Sequence, residues 1–246
     1  MHRFYPEPSL RDENTEYLTR EDAHHALKVL RLHTGDRVEI VSDSCPWIAE
    51  IAEAQENRVA LRKLEPLPST EPVLQVTLYQ GLPKADKMDW IIQKSTELGV
   101  TRIVPVLLSR CVTRIAPEDR ARKTERWQKI AREAGKQSGR CVIPSVECPV
   151  TLQALLKGPF LSSVNAVPWE EAQSFGPLAF HRTYPDSRSV GIMIGPEGGI
   201  TTEEIALLTA AGFIQMTLGK RILRTETAGL AVLSALMCLY GEMEQT

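Results

Sequence analysis

From residue 73 onward, short apolar runs typical of buried strands alternate with longer segments of helical periodicity, and this order constrains the fold more than any other feature. Strands are predicted at residues 73–80, 101–108, 145–147, 161–167, 190–194 and 213–218. Helices are predicted at residues 87–98, 117–137, 201–208 and 227–239. Regular alternation predicts an α/β domain with an open, mostly parallel sheet and helices on both faces. Ligands of such sheets bind at the carboxyl ends of the strands.

Two of the late strands end in turns that contain glycine. The first turn, Gly-Pro-Glu-Gly-Gly at 195–199, precedes a helix whose Thr201 and Glu204 have the spacing of a capping box. The second, Leu-Gly-Lys-Arg-Ile-Leu-Arg-Thr-Glu-Thr at 218–227, follows the strand 213–218. Glycines let a ligand come close to the backbone, whose N–H groups point beyond the strand end. We therefore predict that both turns contribute to one binding site.

Residues 1–68 have a different pattern, in which short segments alternate polar with apolar residues. The predicted strands are 37–41, 47–51 and 59–64. Residues 20–30 form a predicted helix with Thr19 as its N-cap, which makes a small β-barrel-like module with one helix. Residues 65–72 include three prolines and no periodicity, as is typical of a linker. We therefore expect two domains, at residues 1–68 and 73–246.

Composition favours a cytoplasmic location. The five cysteines are an odd number without a Cys-x-x-Cys pair, which favours reduced thiols over a disulfide framework or a zinc site. Residues 1–6 lack the apolar run of a signal peptide. The longest apolar stretch, near residues 228–240, is shorter than the roughly 20 residues that a membrane span needs. We therefore expect a soluble cytoplasmic protein with no membrane partner.

Charge is distributed unevenly along the chain. The formal net charge is −2, but residues 110–140 carry ten Lys or Arg against four Asp or Glu. That segment is therefore +6, and the rest of the chain is −8. Two interpretations stay open: a basic surface for a polyanion, or a solvated helix face.

Several cofactor and catalytic motifs are missing from the sequence. It has no Gly-x-Gly-x-x-Gly of a dinucleotide fold, no Gly-Lys-Ser/Thr of a P-loop and no Gly-x-Ser-x-Gly of a hydrolase. His24 and His25 are adjacent, but no carboxylate or cysteine stands at ligand spacing, so we predict no metal site. These histidines are expected either to help bind phosphate or a base, or to be half-buried structural residues.

The two glycine turns and five further segments together resemble a known family. The segments are Gln-Lys-Ser-Thr-Glu-Leu-Gly-Val at 93–100, Arg-Cys at 110–111, Trp-Gln-Lys-Ile-Ala at 127–131, Arg-Phe-Tyr at 3–5 and Val-Leu-Arg at 29–31. With them, the chain resembles the SPOUT methyltransferases over nearly its whole length, and more closely the 16S ribosomal RNA uridine N3-methyltransferases. The resemblance implies a SPOUT domain with a trefoil knot after a PUA-like N-terminal domain.

The resemblance also implies S-adenosylmethionine as cofactor and a homodimer in which the knot regions pack together. The implied cofactor-binding residues are Ile194, Gly195, Pro196, Glu197, Gly198, Gly199, Leu218, Gly219, Ile222, Leu223 and Arg224. Residues 165–170 would form the first knot loop, although Val-Pro-Trp at 167–169 differs from family forms with a histidine or tyrosine nearby. The helix from residue 227 to 240 is apolar all round, which fits burial beneath the knot or at the dimer interface.

A chemical hypothesis follows for the resembled reaction. Uridine N3 is a good nucleophile only as its weakly acidic proton leaves, and an enzyme can accept that proton or stabilise charge that spreads onto the uracil oxygens. We expect Arg224 to stabilise this charge, and Glu226 or Glu197 to orient Arg224 or take the proton. The alternative is that Arg-Thr-Glu at 224–226 only caps a helix with an ion pair.

The resemblance implies an RNA partner, 16S ribosomal RNA or the small ribosomal subunit. The expected RNA-binding residues are Arg3, Lys28 and Arg31 of the N-terminal domain and Arg120, Arg122, Lys123, Arg126, Lys129 and Arg132 of the basic helix. Because N3 is occupied in a base pair, the target base must be unstacked before transfer. Two alternatives stay open: a ribose 2′-O-methyltransferase of the same superfamily, and an RNA-binding protein without catalysis.

Overall fold

The computed structural model describes residues 1–11, 15–55, 58–159 and 162–244. Internal contacts divide the chain into two units. The first consists of Met1–Glu71 with Lys136–Val142, and the second of Pro72–Gly135 with Ile143–Thr246. The expected domain limits, 1–68 and 73–246, stay a prediction.

The first unit contains, within its described residues, a sheet of five strands. They are β1 (Arg3–Phe4), β2 (Thr15–Tyr17), β3 (Arg37–Ser42), β4 (Cys45–Gln55) and β5 (Arg58–Pro66), in the order β1-β3-β4-β5-β2. β1 pairs with β3 in parallel, and the other neighbours are antiparallel. The three strands predicted in this part are confirmed. β1 and β2 have only two and three residues, too few to give a periodic signal.

The helix of the first unit begins where its N-cap predicts. Helix α1 (Arg20–His24) starts after Thr19, whose hydroxyl oxygen accepts the Asp22 N–H at 3.1 Å. The helix continues as a π-helical turn, His25–Val29, which the sequence pattern did not indicate. Ala26 in this turn is fully buried, and small side chains of this kind let the helix lie close to the sheet.

The second unit is built on a sheet of seven strands, counted within the described residues. They are β6 (Gln75–Gly81), β7 (Arg102–Leu107), β8 (Ser145–Val146), β9 (Val150–Thr151), β10 (Val164–Pro168), β11 (Ser189–Ile194) and β12 (Phe213–Met216). Their order is β12-β10-β11-β6-β7-β8 with β9 also paired to β7, and all these pairs are parallel. The predicted mostly parallel sheet is confirmed. Leu161 of the predicted strand 161–167 lies outside the described residues.

Burial explains why the central strands are continuous apolar runs. Every residue of β11 from Val190 to Ile194 is buried, as expected when helices cover both faces of a parallel sheet. At position 191 of this strand only glycine fits, because a Cβ there would lie 2.0 Å from Asn165 Oδ1 and 2.9 Å from Tyr79 Cε2. Glycine therefore allows β10 to carry a buried polar side chain beside β11.

Six helices accompany the sheet within the described residues. They are α2 (Lys87–Glu97), α3 (Arg120–Ser138, after a 3₁₀ turn at Pro117–Asp119), α4 (Leu152–Lys157), α5 (Pro177–Thr183), α6 (Thr202–Ala210) and α7 (Thr225–Leu239). The four predicted helices are present, and α7 begins two residues earlier than expected. α4 and α5 were not predicted, because six and seven residues are too few for a helical repeat to stand out. In the described part of the chain, every helix lacks the length or the apolar character that crossing a bilayer requires.

Candidate active site

The two glycine turns lie at the same edge of the second unit's sheet. β10 stands between β11 and β12, and the three strands are parallel, so their carboxyl ends open toward one side. The turns that follow β11 and β12 line one cavity of about 490 Å³. All the residues expected to bind a cofactor line this cavity except Gly198. The structure therefore brings the two turns together, as the sequence predicted.

Close packing against β6 shapes the first turn. A Cβ on Gly81, at the end of β6, would lie 2.7 Å from Pro196 N and 2.9 Å from Ile194 O. Inside the turn, a Cβ on Gly195 would lie 2.8 Å from Ile200 Cγ1, and Gly199 has φ +73°. Glycine at these positions is what lets the turn lie directly on β6 and bend back into α6.

The capping box after the first turn also connects it to the loop that follows β7. Thr201 and Glu204 form the predicted reciprocal hydrogen bonds at the start of α6. The same Glu204 side chain, which is buried, accepts the Ser109 N–H at 2.8 Å. The Arg110 guanidinium donates to the Gly198 carbonyl at 3.0 Å. Gly198 therefore contacts the β7 loop rather than the cavity.

The second turn leads into α7 through Arg224. The Gly219 N–H donates to Thr217 Oγ1 at 3.2 Å, and Gly219 has φ +94°. Arg224 is the N-cap residue of α7, with an extended backbone, and its carbonyl accepts the N–H groups of Thr227 and Ala228. Its side chain is exposed and lines the cavity. Arg224 does cap the helix, as the alternative supposed, but with the described residues its guanidinium forms no ion pair within 4 Å. The ion pair at this helix start is made by Glu226.

A buried threonine joins the start of α7 to the first turn. The Thr225 hydroxyl donates to the Gly195 carbonyl at 2.6 Å and accepts a hydrogen bond from Gln80 Nε2 at 2.9 Å. Thr225 is 6% exposed and Gln80 is fully buried. Neither residue stands out in the sequence, since a threonine in a helix's first turn and a glutamine at a strand end have no distinctive spacing.

Lys87 connects the two glutamates that were expected to assist Arg224. Its ammonium lies 3.0 Å from Glu197 Oε1 and 3.2 Å from Glu226 Oε2. Glu197 also accepts the Lys84 N–H at 3.0 Å. Lys87 is the first residue of α2 and lines the cavity. Lys87 does not stand out in the sequence, because its two partners are more than 100 residues away along the chain.

The two glutamates are held in the ionised form. Partial burial alone would raise the pKa of Glu197, but hydrogen bonds from the Lys84 N–H and the Lys87 ammonium outweigh it and lower the pKa. For Glu226, burial is likewise outweighed by its own backbone N–H, by Lys87 and by the charge of Arg224, so the pKa is lowered. Both side chains are therefore carboxylates at neutral pH and weak proton acceptors.

The segment after β10 forms another part of the cavity wall. Residues 165–168 of the expected first knot loop lie in β10, and Trp169 and Glu170 follow the strand. Pro168, Trp169 and Glu170 line the cavity. The Glu170 carboxylate lies beside Gly199, since a Cβ there would be 3.6 Å from both carboxylate oxygens. In this part of the wall, the chain therefore presents an aromatic ring and a carboxylate to the cavity.

The basic residues of the first unit differ in their surroundings. Arg3 Nε donates to Glu39 Oε2 at 2.9 Å, and its guanidinium also binds the Gly139 carbonyl. Lys28 and Arg31 are exposed, and Arg31 has φ +56°. Arg3 is therefore held inside its own unit, whereas the other two side chains reach solvent.

The basic residues of α3 fall into two groups. Arg120 donates to the Pro149 carbonyl at 3.4 Å, Arg122 pairs with Asp119 at 2.8 Å and Arg126 pairs with Asp89. Lys123 is half-buried, and Lys129 and Arg132 are exposed. Among the residues that the structure describes, Lys129 and Arg132 have no ion-pair partner within 4 Å.

The adjacent histidines, His24 and His25, are both exposed, so the half-buried alternative for them is wrong. In the part of the chain that the structure describes, no three His, Cys, Asp or Glu side chains are grouped so that they could hold a metal ion.

Comparison with known families matches both parts of the chain. A family described as RNA methyltransferase domain matches residues 69–237, and one described as RNA methyltransferase PUA domain matches residues 18–64. The second match identifies the small N-terminal sheet unit as PUA-like, as the sequence predicted.

Curated relatives and solved structures agree with these families. The chain is 35% identical to ribosomal RNA small subunit methyltransferase E of Bacillus subtilis (strain 168), over 96% of each chain. It is 30% identical to the protein of that name from Buchnera aphidicola subsp. Acyrthosiphon pisum, over 98% of this chain and 95% of the relative. Among solved structures, a ribosomal RNA small subunit methyltransferase E from Neisseria gonorrhoeae bound to S-adenosyl methionine is 32% identical, covers 98% of each chain and has a TM-score of 0.81.

Proposed function

This chain belongs to the ribosomal RNA small subunit methyltransferase E family, and on that premise we propose that it transfers a methyl group from S-adenosylmethionine to N3 of a uridine in 16S ribosomal RNA. The observation that carries the proposal is the single cavity formed by both glycine turns at the carboxyl edge of the sheet. The Neisseria gonorrhoeae relative, similar over nearly its whole length, is a structure with S-adenosyl methionine bound.

The cavity offers a suitable site for the methyl donor. Backbone groups of residues 194–199 and 218–224 would hold its polar parts, and the apolar side chains of Ile222 and Leu223 would contact its uncharged body. Ile222 is 87% exposed and lines the cavity, so a bound ligand would cover it. We propose the knotted SPOUT topology for this part of the chain on the basis of the family.

In the proposed reaction, a bond forms between uridine N3 and the methyl carbon while the bond from that carbon to sulfur breaks. The sulfonium becomes a neutral thioether, and the N3 proton leaves to an acceptor. Arg224 would stabilise the negative charge that spreads onto the uracil oxygens. Glu197 and Glu226 have lowered pKa values, so orienting Arg224 suits them better than taking the proton.

The RNA would be bound through basic side chains of both units. Lys129 and Arg132 of α3 are exposed and have no ion-pair partner within 4 Å among the described residues, which favours them over Arg120, Arg122 and Arg126 with their present partners. In the first unit, Lys28 and Arg31 are exposed, whereas Arg3 is bound to Glu39. Lys123 is half-buried and could contact RNA through its ammonium. The target base would have to leave its stack to place N3 in the cavity.

We also propose a homodimer, formed through the knot regions of two chains. The long apolar helix α7 leaves side chains such as Leu230 and Ala235 only half-buried in the single chain, which a second copy would cover. Light scattering of the purified protein would measure its mass, and a monomer would contradict the proposal. We further propose a cytoplasmic location, where a ribosomal substrate would be found.

One experiment tests the reaction. The protein is incubated with radiolabelled S-adenosylmethionine and with small subunits or free 16S RNA from a strain that lacks the endogenous enzyme. The RNA is then digested to nucleosides. We expect label in 3-methyluridine; label in a 2′-O-methylated nucleoside would favour the ribose alternative. No label, together with no calorimetric binding of the donor, would contradict the proposal.

A further inference from the structure

Lys87 links three separate elements at the mouth of the cavity. It begins α2, and its partners Glu197 and Glu226 belong to the turn after β11 and to the first turn of α7. The Lys87 side chain is 33% exposed. Ion pairs that water reaches to this extent contribute little to stability. A role in the geometry of the site explains the arrangement better than a role in folding.

The bridge made by Lys87 has a counterpart on the buried side. There, the Thr225 hydroxyl holds the Gly195 carbonyl at 2.6 Å. The first glycine turn and the start of α7 are thus joined twice, by Thr225 inside the protein and by Lys87 at the cavity. Arg224 immediately precedes both anchored residues of α7, so the two links fix the backbone from which its side chain projects.

We propose that Lys87 is a positioning residue, which binds Glu197 and Glu226 at the same time. In this way it fixes the distance between the first glycine turn and the start of α7, and that distance directs Arg224 toward the reacting base. This inference rests on the proposed function and adds to it a residue that does not itself touch the reacting atoms. Lys87 acts through the carboxylates of Glu197 and Glu226. Its positive charge neutralises one of their two negative charges.

The charges around this bridge predict a pH effect. Glu197 faces the Lys87 ammonium and the Lys84 N–H, and Glu226 faces the Lys87 ammonium and the charge of Arg224. Removing the ammonium leaves two neighbouring carboxylates with less positive charge between them, which raises the pKa of both. Since only the ionised carboxylates attract a cation, the bridge of the wild type is lost as pH falls through these pKa values. Without Lys87, the attraction that remains between Glu226 and the charge of Arg224 is lost at a higher pH.

The test compares Lys87→Met and Lys87→Arg with Lys94→Met. Lys94 lies on the same helix, is 30% exposed and pairs with Glu97 at 2.8 Å, so it is a matched control outside the site. Misplacing a catalytic group by about 1 Å can cost roughly 100-fold in rate, so we expect Lys87→Met to lower kcat by roughly 10- to 100-fold. The Kd of the donor should change little, because the buried Thr225 hydroxyl still holds the Gly195 carbonyl in this variant. Lys87→Arg should restore most of the activity.

Two further measurements separate positioning from a general structural effect. The acidic limb of the pH–rate profile should move to higher pH in Lys87→Met and stay in place in Lys94→Met. Adding Glu226→Gln to Lys87→Met should cost little more than the worse single change, because both remove the same link.

If the wild type methylates RNA and Lys87→Met is equally active, the role of Lys87 is overturned, but the proposed function is not. A loss of activity with an unmoved acidic limb, or with additive effects in the double variant, would also overturn it. A wild type that methylates no RNA would contradict the proposed function, and the inference with it.

Discussion

Replacing Thr225 with valine tests whether one hydroxyl couples the two glycine turns. Valine keeps the branched shape but removes the donor to the Gly195 carbonyl and the acceptor for Gln80 Nε2. The half-buried Gly195 carbonyl would then lack this partner, at a cost of about 1–2 kcal/mol. Gln80 keeps its hydrogen bond to the Gly81 carbonyl at 3.0 Å, so losing the bond to Thr225 costs about 1 kcal/mol. We expect a total destabilisation of about 2–3 kcal/mol.

The matched control is Thr227→Val, two residues further along the same helix. Thr227 is exposed, and surface substitutions of this kind usually change stability by less than about 0.5 kcal/mol. Urea unfolding followed by tryptophan fluorescence would give the free energies, since Trp127 is buried in the second unit. Calorimetry would give the donor affinity, which we expect to fall in Thr225→Val because the Gly195 carbonyl loses its anchor. If Thr225→Val matched Thr227→Val in both measurements, the coupling would be refuted.

Three further predictions concern the turn, the reaction and the RNA. Gly81→Ala should weaken donor binding by roughly tenfold or more, about 1.4 kcal/mol, because its Cβ would force Pro196 away from β6. Calorimetry would measure the Kd of the donor, and an unchanged Kd would contradict the packing argument. Arg224→Ala should lower kcat by roughly 100-fold or more with donor binding nearly intact, and loss of donor binding instead would contradict its role. Replacing both Lys129 and Arg132 by Gln should flatten the salt dependence of RNA binding in a filter assay. The logarithmic slope should fall by roughly 0.7 to 0.9 for each phosphate that the protein no longer neutralises. An unchanged slope would show that the RNA binds elsewhere.

The sequence was sufficient for features that a short stretch of chain determines. The buried run before residue 195 predicted β11, and the spacing of Thr201 and Glu204 predicted the cap of α6. Each depends on residues within a few positions of one another. The parallel order of strands followed because helices separate them, and the shared edge of the two turns followed from the parallel order.

Contacts between distant residues could not be predicted in this way. Lys87 meets Glu197 and Glu226 only because β6 and β11 are neighbours in the sheet and α7 begins beside them. Periodicity says which face of an element is buried, but it does not say which other element lies there. For the same reason Gly191 looked like an ordinary small residue in a strand, whereas the side chain of Asn165 makes glycine necessary there.

The charges around Glu197 and Glu226 also indicate which role these residues have in the proposed reaction. A group that accepts the proton of uridine N3 must bind protons well near neutral pH, and lowering the pKa of a carboxylate makes it a poorer acceptor. Glu197 and Glu226 are both shifted in that direction, by neighbours that include the lysine between them. Their negative charges instead favour cations nearby, both the guanidinium of Arg224 and a sulfonium in the cavity. Stabilisation of charge by Arg224 therefore explains this site better than proton removal by a glutamate.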